Sequence, residues 1–253
     1  MTSFGTAVIV SGCSFAAGIA GMLLHARLPA HHVDEESRNV IQLIMSLIAT
    51  MAALVLSLLI ASASSSYDAQ RSEVQSLAAN VVLLDRTLAY YGPDAQDARL
   101  RLHGAVAEVH DHIWPADGLA AANLDPRATQ HGPSAFVGAL ANLNPKTDMQ
   151  RTLLSQAMQV GQSVGQTRLL MFEQHGSSIS WPFLTVMVFW ICMLFLGFGL
   201  FARFHATVTI ALLIGALSVG GAIFLILELS EPYEGFMRVS GAPLVDALAQ
   251  IGN

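Results

Sequence analysis

Four long apolar runs dominate the pattern of hydrophobic and polar positions along the chain. They cover residues 4–24, 40–62, 181–202 and 208–227, and none of them contains an acidic or basic residue. A helix needs about 20 apolar residues to cross a bilayer core, where only helices and closed barrels satisfy their own backbone hydrogen bonds. The pattern therefore predicts an all-α membrane protein with four transmembrane helices.

The four predicted crossings form two hairpins on either side of a long extramembrane segment. Residues 25–39 join the first pair, and the very short turn 203–205 joins the second. Because two crossings precede the central segment, both chain ends and this segment should lie on one side of the membrane. The predicted parts are a first hairpin (1–62), a helical extramembrane domain (63–180), a second hairpin (181–228) and a tail (229–253).

Beyond the second crossing, the helical pattern continues as a heptad seam flanked by charges, which is typical of a coiled coil. The second helix should therefore leave the bilayer as a stalk of about 44 Å over residues 63–91. Gly92-Pro93 should end it. We expect the seam to pack between copies of the chain. It consists of Val74, Leu77, Val81, Leu84, Leu88 and Tyr91.

Three further helices complete the predicted extramembrane domain. One covers residues 94–113, carries an apolar stripe on one face and stops at Trp114-Pro115, and a short one covers residues 134–143. A long helix then starts at Lys146, carries an apolar stripe that begins at Met149, and should run into the third crossing. These helices extend the second and third transmembrane helices into one helical bundle.

The tail ends in a short amphipathic segment with Leu244, Leu248 and Ile251 on one face. Three apolar residues cannot hold so short a helix in water. We therefore expect the tail to dock on the bundle or on the membrane surface.

One face of the second crossing is polar or small, and the opposite face consists of Leu, Ile, Val and Met. Small hydroxyl side chains can line a water-filled pore when several copies surround an axis. They can equally serve ordinary close packing between transmembrane helices. The seven candidate pore-lining residues, at spacings of four and three, are Gln42, Ser46, Thr50, Ala53, Ser57, Ala61 and Ser64.

The first and fourth crossings carry small residues on one face, which indicates close helix packing. These are Ser11, Ser14, Gly18 and Gly21, and Gly215, Ser218 and Gly221. No crossing contains Asp, Glu, Lys, Arg or His, whereas pumps and coupled transporters place such groups at depth. Active transport by this subunit alone is therefore disfavoured.

Charged residues lie where the crossings meet the connectors. Glu35 and Glu36 precede the second crossing, and Arg203 follows the third. In a symmetric oligomer such residues form charged rings that select ions at a pore mouth. The alternative is a solvated connector, and the opposite charges leave the sign of a selected ion open.

The composition agrees with a bilayer as solvent, with 53% hydrophobic residues, 12% charged residues and a mean hydropathy of +0.53. The basic residues are scattered, so nucleic acid is not an expected partner. His103, His110 and His112 form the densest group of metal-ligand types, but their spacing favours an exposed helical surface. We find no catalytic motif, and we expect no metal, no cofactor and no enzymatic activity.

Two patches and a break resemble a known family. The first patch runs from Ser76 through Asp85-Arg86 and Tyr90-Tyr91-Gly92-Pro93 to Ala98-Arg99, with Tyr67 and Arg71 above it, and the second is the tail 231–244. Together with the Trp114-Pro115 break, they resemble the bestrophin-like domain family of bacterial membrane proteins. The resemblance implies a multi-pass protein of the bacterial inner membrane. It also implies a channel, because bestrophins are pentameric anion channels.

The predicted function is a homo-oligomeric ion channel, a pentamer by analogy, whose partners are the bilayer and inorganic ions. A non-conducting sensory or scaffold protein is the alternative, as is a stator-like subunit around a partner helix. Arginines near the ends of the crossings do not orient the chain, because three lie in the connectors and three on the opposite flanks. They are Arg27, Arg38 and Arg203, and Arg71, Arg168 and Arg238. We expect a cytoplasmic central domain because it contains no cysteine.

Overall fold

The structure, a computed structural model, describes residues 3–27, 35–115, 129, 131–175, 181–202, 204–233 and 235–251. Within these ranges the chain is all-α, as predicted. A 3₁₀ turn over Pro93–Ala95 links the second and third helices. The helices are α1 (Ser3–Arg27), α2 (Glu35–Tyr91), α3 (Gln96–Ile113), α4 (His131–Ala141), α5 (Asp148–His175), α6 (Trp181–Leu200), α7 (Ala206–Ser230) and α8 (Ala242–Gln250).

Four helices, α1, α2, α6 and α7, are long and apolar enough to cross a membrane. The four runs predicted from hydropathy lie within them, except that α6 ends at Leu200, two residues before the end of the third run. The prediction of an all-α membrane protein is confirmed. The predicted passage of α5 into the third crossing lies outside the described residues.

The second helix runs without a break through its apolar run and on to Tyr91. It ends because Gly92 adopts φ 111°, a left-handed backbone conformation that residues with a side chain rarely adopt. Pro93 then starts the next turn. The predicted continuation of the second crossing beyond the apolar run is therefore correct.

The chain divides into two compact units. The first, here the membrane unit, consists of Met1–Ser66 and Ile179–Ser230. The second, here the bundle unit, consists of Tyr67–Ser178 and Glu231–Asn253, so the tail belongs with the central helices.

In the membrane unit, α1 packs closely against α6 and α7 through small residues. A Cβ atom on Gly21 would overlap the backbone carbonyl of Leu196, and one on Gly199 would overlap that of Gly18. In lipid, no hydrophobic driving force brings helices together. Close backbone contact instead holds them by dispersion attraction. The predicted packing role of α1 is confirmed.

The predicted contact face of α7 is confirmed at Gly215, but at the next contact Gly220 takes the place of Gly221. A Cβ on Gly220 would overlap the hydroxyl of Ser11 and lie 3.1 Å from the carbonyl oxygen of Ala7, whereas Gly221 has open space around it. Gly215 does meet a neighbour, with its Cβ position 3.3 Å from the ring of Phe195. The spacing of small residues alone does not distinguish adjacent glycines on a helix that is apolar on all sides.

In the bundle unit, the core is built around the second half of α2. All six seam residues are at most 2% exposed. They pack with the predicted apolar stripe of α3, and with residues of α4, α5 and the tail. The predicted intersubunit role of the seam is not what the structure shows, because these side chains are buried within one chain.

A bidentate ion pair joins α2 to α3 at the edge of this core. The Nε and Nη2 atoms of Arg99 donate to the two carboxylate oxygens of Asp85 at 2.7 and 2.8 Å. The hydrogen bond with Asp85 raises the pKa of Arg99. The Asp85 side chain is 6% exposed, so removing Arg99 would leave a desolvated carboxylate.

The tail docks on the bundle, which is the first of the two predicted alternatives. Leu244 and Ile251 are buried in the bundle core. The indole of Trp114 donates to the carbonyl of Val239 at 2.9 Å and meets Tyr233 edge-on at 6.3 Å. A Cβ on Gly241 would lie 2.8 Å from this indole, so the chain passes directly over the ring.

Two details of α4 and α5 differ from the prediction. The α4 helix begins at His131, because the Glu108 carboxylate accepts the backbone N–H of Gly132 at 2.9 Å and Pro133 suits a first turn. Met149, predicted to join the apolar stripe of α5, is 70% exposed in the first turn of that helix.

Neighbouring glycines on α7 provide a matched test of the membrane-unit packing. Gly220→Leu should destabilise the protein by about 1–3 kcal/mol, because the added atoms must force α7 away from α1. Gly221→Leu should be close to neutral. Thermal unfolding of the detergent-solubilised protein, followed by circular dichroism, measures both; equal midpoints would contradict the packing.

The ion pair between α2 and α3 is tested against an exposed pair on α3. Asp85→Ala should cost about 2–4 kcal/mol because it removes the two charge-assisted hydrogen bonds between this buried carboxylate and Arg99. Asp97→Ala removes the exposed bond to Arg101 and should cost under about 0.5 kcal/mol. Urea unfolding of the two variants measures the difference, and a loss for Asp85→Ala as small as that for Asp97→Ala would refute the buried role.

Candidate functional site on the second helix

The apolar run of α2 is the least covered of the four membrane helices. In its most apolar window, 11% of residues are buried, compared with 33% for α1, 33% for α6 and 28% for α7. All seven candidate pore-lining residues are exposed, from Gln42 to Ser64. In the described part of one chain, no helix therefore packs over this face of α2.

The hydroxyl groups of the polar face are bonded within their own helix. Ser46 donates to the carbonyl of Gln42 at 2.8 Å, Thr50 to that of Ser46 at 2.8 Å, and Ser57 to that of Ala53 at 2.9 Å. Each hydroxyl proton is thus satisfied, while the oxygen still offers a lone pair outward. The face can accept hydrogen bonds from water or coordinate ions, and it remains tolerable in lipid.

The neighbouring face of α2 is apolar and equally uncovered. Leu43, Leu47, Leu54 and Leu58 are between 61% and 70% exposed. The helix meets the rest of the membrane unit through a third face, on which Val55, Leu56 and Leu59 pack against the core. One face of α2 therefore packs on the core of the membrane unit, and the polar and leucine faces point away from that core.

One end of the polar face borders a groove between α2 and α6. Gln42 and Ser46, together with Met45 and Ala49, form one wall, and Phe198, Phe201 and Ala202 form the other. The groove has a volume of about 640 Å³. Met45 contacts Gly197 so closely that a side chain at residue 197 would displace its sulfur.

The predicted pore-mouth residues precede the second crossing and follow the third. Glu35 and Glu36 form the first turn of α2, but their side chains lie outside the described residues, as does all of Arg203. Their role at a pore mouth stays a prediction.

The histidines predicted to lie on a helical surface make local contacts. His110 Nδ1 lies 3.2 Å from the Asp111 carboxylate, and the ring stacks on Trp114 at 5.6 Å. His112 Nδ1 lies 3.0 Å from the carbonyl oxygen of Glu108. Among the described residues, no three potential ligands are grouped so as to hold a metal ion.

The residues that carried the sequence resemblance are brought together in the bundle unit. Asp85 pairs with Arg99, and Trp114 bonds the tail at Val239. Burial raises the pKa of Tyr233, and the Glu73 carboxylate raises it further. These partners were not assigned from the sequence, because no local periodicity pairs α2 with α3 or Trp114 with a residue 125 positions away.

A comparison with protein families matches residues 12–244, nearly the whole chain, to the bestrophin-like domain. No curated protein matches the chain.

Proposed function

The chain belongs to the bestrophin-like family, and from this membership and the geometry of α2 we propose that it forms a homo-oligomeric ion channel. It is a membrane-embedded protein with four helices fit to span a bilayer. In the proposed assembly, the polar face of α2 lines the pore.

The observation that carries the proposal is the uncovered polar face of α2. A single helix cannot enclose a water path, but several copies around an axis can, and each would contribute hydroxyl oxygens from Ser46, Thr50 and Ser57. The exposed leucine face beside it would then meet lipid or a neighbouring copy. By analogy with bestrophins, we propose five copies.

The apolar runs support passive conduction rather than coupled transport. None of the four contains Asp, Glu, Lys, Arg or His, the residues that usually carry protons through the bilayer core. Selection would then fall to the end of the pore on the connector side, where Glu35 and Glu36 favour cations and Arg203 favours anions. Reversal potentials of Glu35→Gln, Glu36→Gln and Arg203→Gln channels would assign the sign.

A non-conducting signalling protein is a second candidate, favoured by the continuity of α2. The helix carries both the exposed polar face and the buried core of the bundle unit, so a displacement along it would reach both. The purified protein would then be a monomer or dimer without an axial path. Co-purification with a single-span helix would instead favour a stator-like subunit.

Substitutions on α2 test the pore. Ser57→Leu and Thr50→Leu should reduce single-channel conductance at least about tenfold, because a ring of leucines forms a constriction that excludes water. Ser62→Leu is the matched control, since Ser62 is equally exposed but lies off the polar face. Recordings from purified protein in planar bilayers measure the conductance, and size-exclusion profiles verify assembly.

Two results would refute the proposal. One is the absence of any conductance over a range of pH, calcium concentration and voltage from a correctly assembled oligomer. The other is full conductance in Ser57→Leu channels with a loss in Ser62→Leu channels, which would move the pore to another face.

A further inference from the structure

The bundle unit contains an apolar cleft of about 440 Å³ that the proposed channel does not use. It lies between α2, α3, α4, α5 and the tail helix α8, and its size falls in the range of small-molecule sites. Aliphatic and aromatic side chains form most of its wall. They include Leu84, Leu102, Phe136, Leu140, Met158 and Leu244.

The α5 wall of this cleft lacks side chains at two positions. Gly161 and Gly165 are one turn apart, a spacing typical of a close helix crossing. Among the residues that the structure describes, nothing lies within 4 Å of a Cβ on Gly165, and only a Phe136 ring carbon lies near one on Gly161, at 3.9 Å. Each glycine costs a helix about 1 kcal/mol relative to alanine. Their effect here is to keep the cleft open.

A positively charged side chain, that of Arg168, lies on the same face of α5, one turn beyond Gly165. Arg168 lines the cleft, is half-buried, and donates a short hydrogen bond to the hydroxyl of the buried Thr129. Arg99, Arg101 and Arg151 in the same unit each bond an aspartate. Within the described part of the chain, Arg168 makes no salt bridge.

The charge of Glu108 acts on this guanidinium, but the two side chains form no salt bridge in the described structure. The Glu108 carboxylate accepts the backbone N–H of Gly132 at the start of α4. Burial lowers the pKa of Arg168, and the attraction of Glu108 only partly opposes this. An arginine side chain stays protonated in a protein even when it is partly buried. The cleft therefore ends in a partly desolvated positive charge.

We propose that the cleft binds an amphiphile with one aliphatic chain and an anionic head group. The chain lies along Gly161 and Gly165 between the apolar walls, and the head group bonds Arg168. A neutral apolar ligand would leave the guanidinium desolvated and unpaired. A small inorganic anion would leave the apolar walls uncovered. An amphiphilic anion satisfies both parts of the site.

Two natural sources share this chemistry, a free fatty acid and a single-chain lipid phosphate. The experiment uses three photoreactive probes with the same mid-chain diazirine: dodecanoate, dodecyl phosphate and dodecanol. The full-length protein is reconstituted in lipid nanodiscs and irradiated, and labelled residues are mapped by mass spectrometry. Labelling at the cleft by one anion more than the other identifies the source.

Wild-type protein should be labelled on cleft residues such as Met158 by an anionic probe, and about tenfold less by dodecanol. Gly165→Leu should abolish this labelling by filling the cleft, without loss of thermal stability, because the position is open and leucine favours a helix. Arg168→Gln should reduce labelling by the anion about tenfold and leave labelling by dodecanol unchanged.

Matched controls separate occupancy from general damage. Gly104→Leu makes the same change at an open, exposed position on α3, away from the cleft. Arg151→Gln removes an exposed arginine from α5. Both should be labelled like wild type. Equal labelling by anion and alcohol in wild type, or undiminished labelling of a folded Gly165→Leu protein, would overturn the proposal. Neither result bears on conductance, so the channel is tested separately.

Discussion

The helix α2 has to meet the demands of two solvents with one unbroken backbone, and the rest of the structure depends on this. In a bilayer core, each backbone group must be bonded within its own segment, which a helix achieves at any length. Over Glu35–Tyr91 the hydrogen-bond ladder is the same, and only the side chains change. Lipid-compatible residues occupy its first half, and a buried apolar seam occupies its second half.

The two units reach stability by different physical routes. Lipid tails are as apolar as leucine, so the membrane unit relies on close backbone contact at Gly18, Gly21, Gly199 and Gly220. The bundle unit can use the hydrophobic effect, and its core is formed by aliphatic side chains of α2, α3 and α8. The Asp85–Arg99 pair and the Trp114 indole then fix the partners of that core.

Two surfaces of the chain have polar or charged groups with no further partner from the described residues packed over them, the polar face of α2 and the cleft of the bundle unit. On α2, exposed hydroxyl oxygens face outward with their protons already bonded, so they are available as acceptors. In the bundle unit, two glycines and Arg168 leave an apolar space with a positive end. The first surface suits copies of the same chain and ions, and the second suits an amphiphilic anion.

The sequence by itself determined the number and extent of the membrane helices, the unbroken α2 and its end at Gly92, and the polar face from Gln42 to Ser64. These features follow from periodicity and run length, which are properties of a local segment. It also placed apolar stripes on α2 and α3. It did not determine what those stripes pack against.

Only the tertiary structure decided that the seam from Val74 to Tyr91 is buried within one chain, that Gly220 and not Gly221 meets α1, and that Gly161 and Gly165 border a cleft. A heptad pattern has the same appearance whether its partner is another copy or the next helix, because both bury the same side chains. A glycine pair likewise indicates only that side chains are absent. Whether a backbone or a ligand occupies that space depends on helices distant in the sequence.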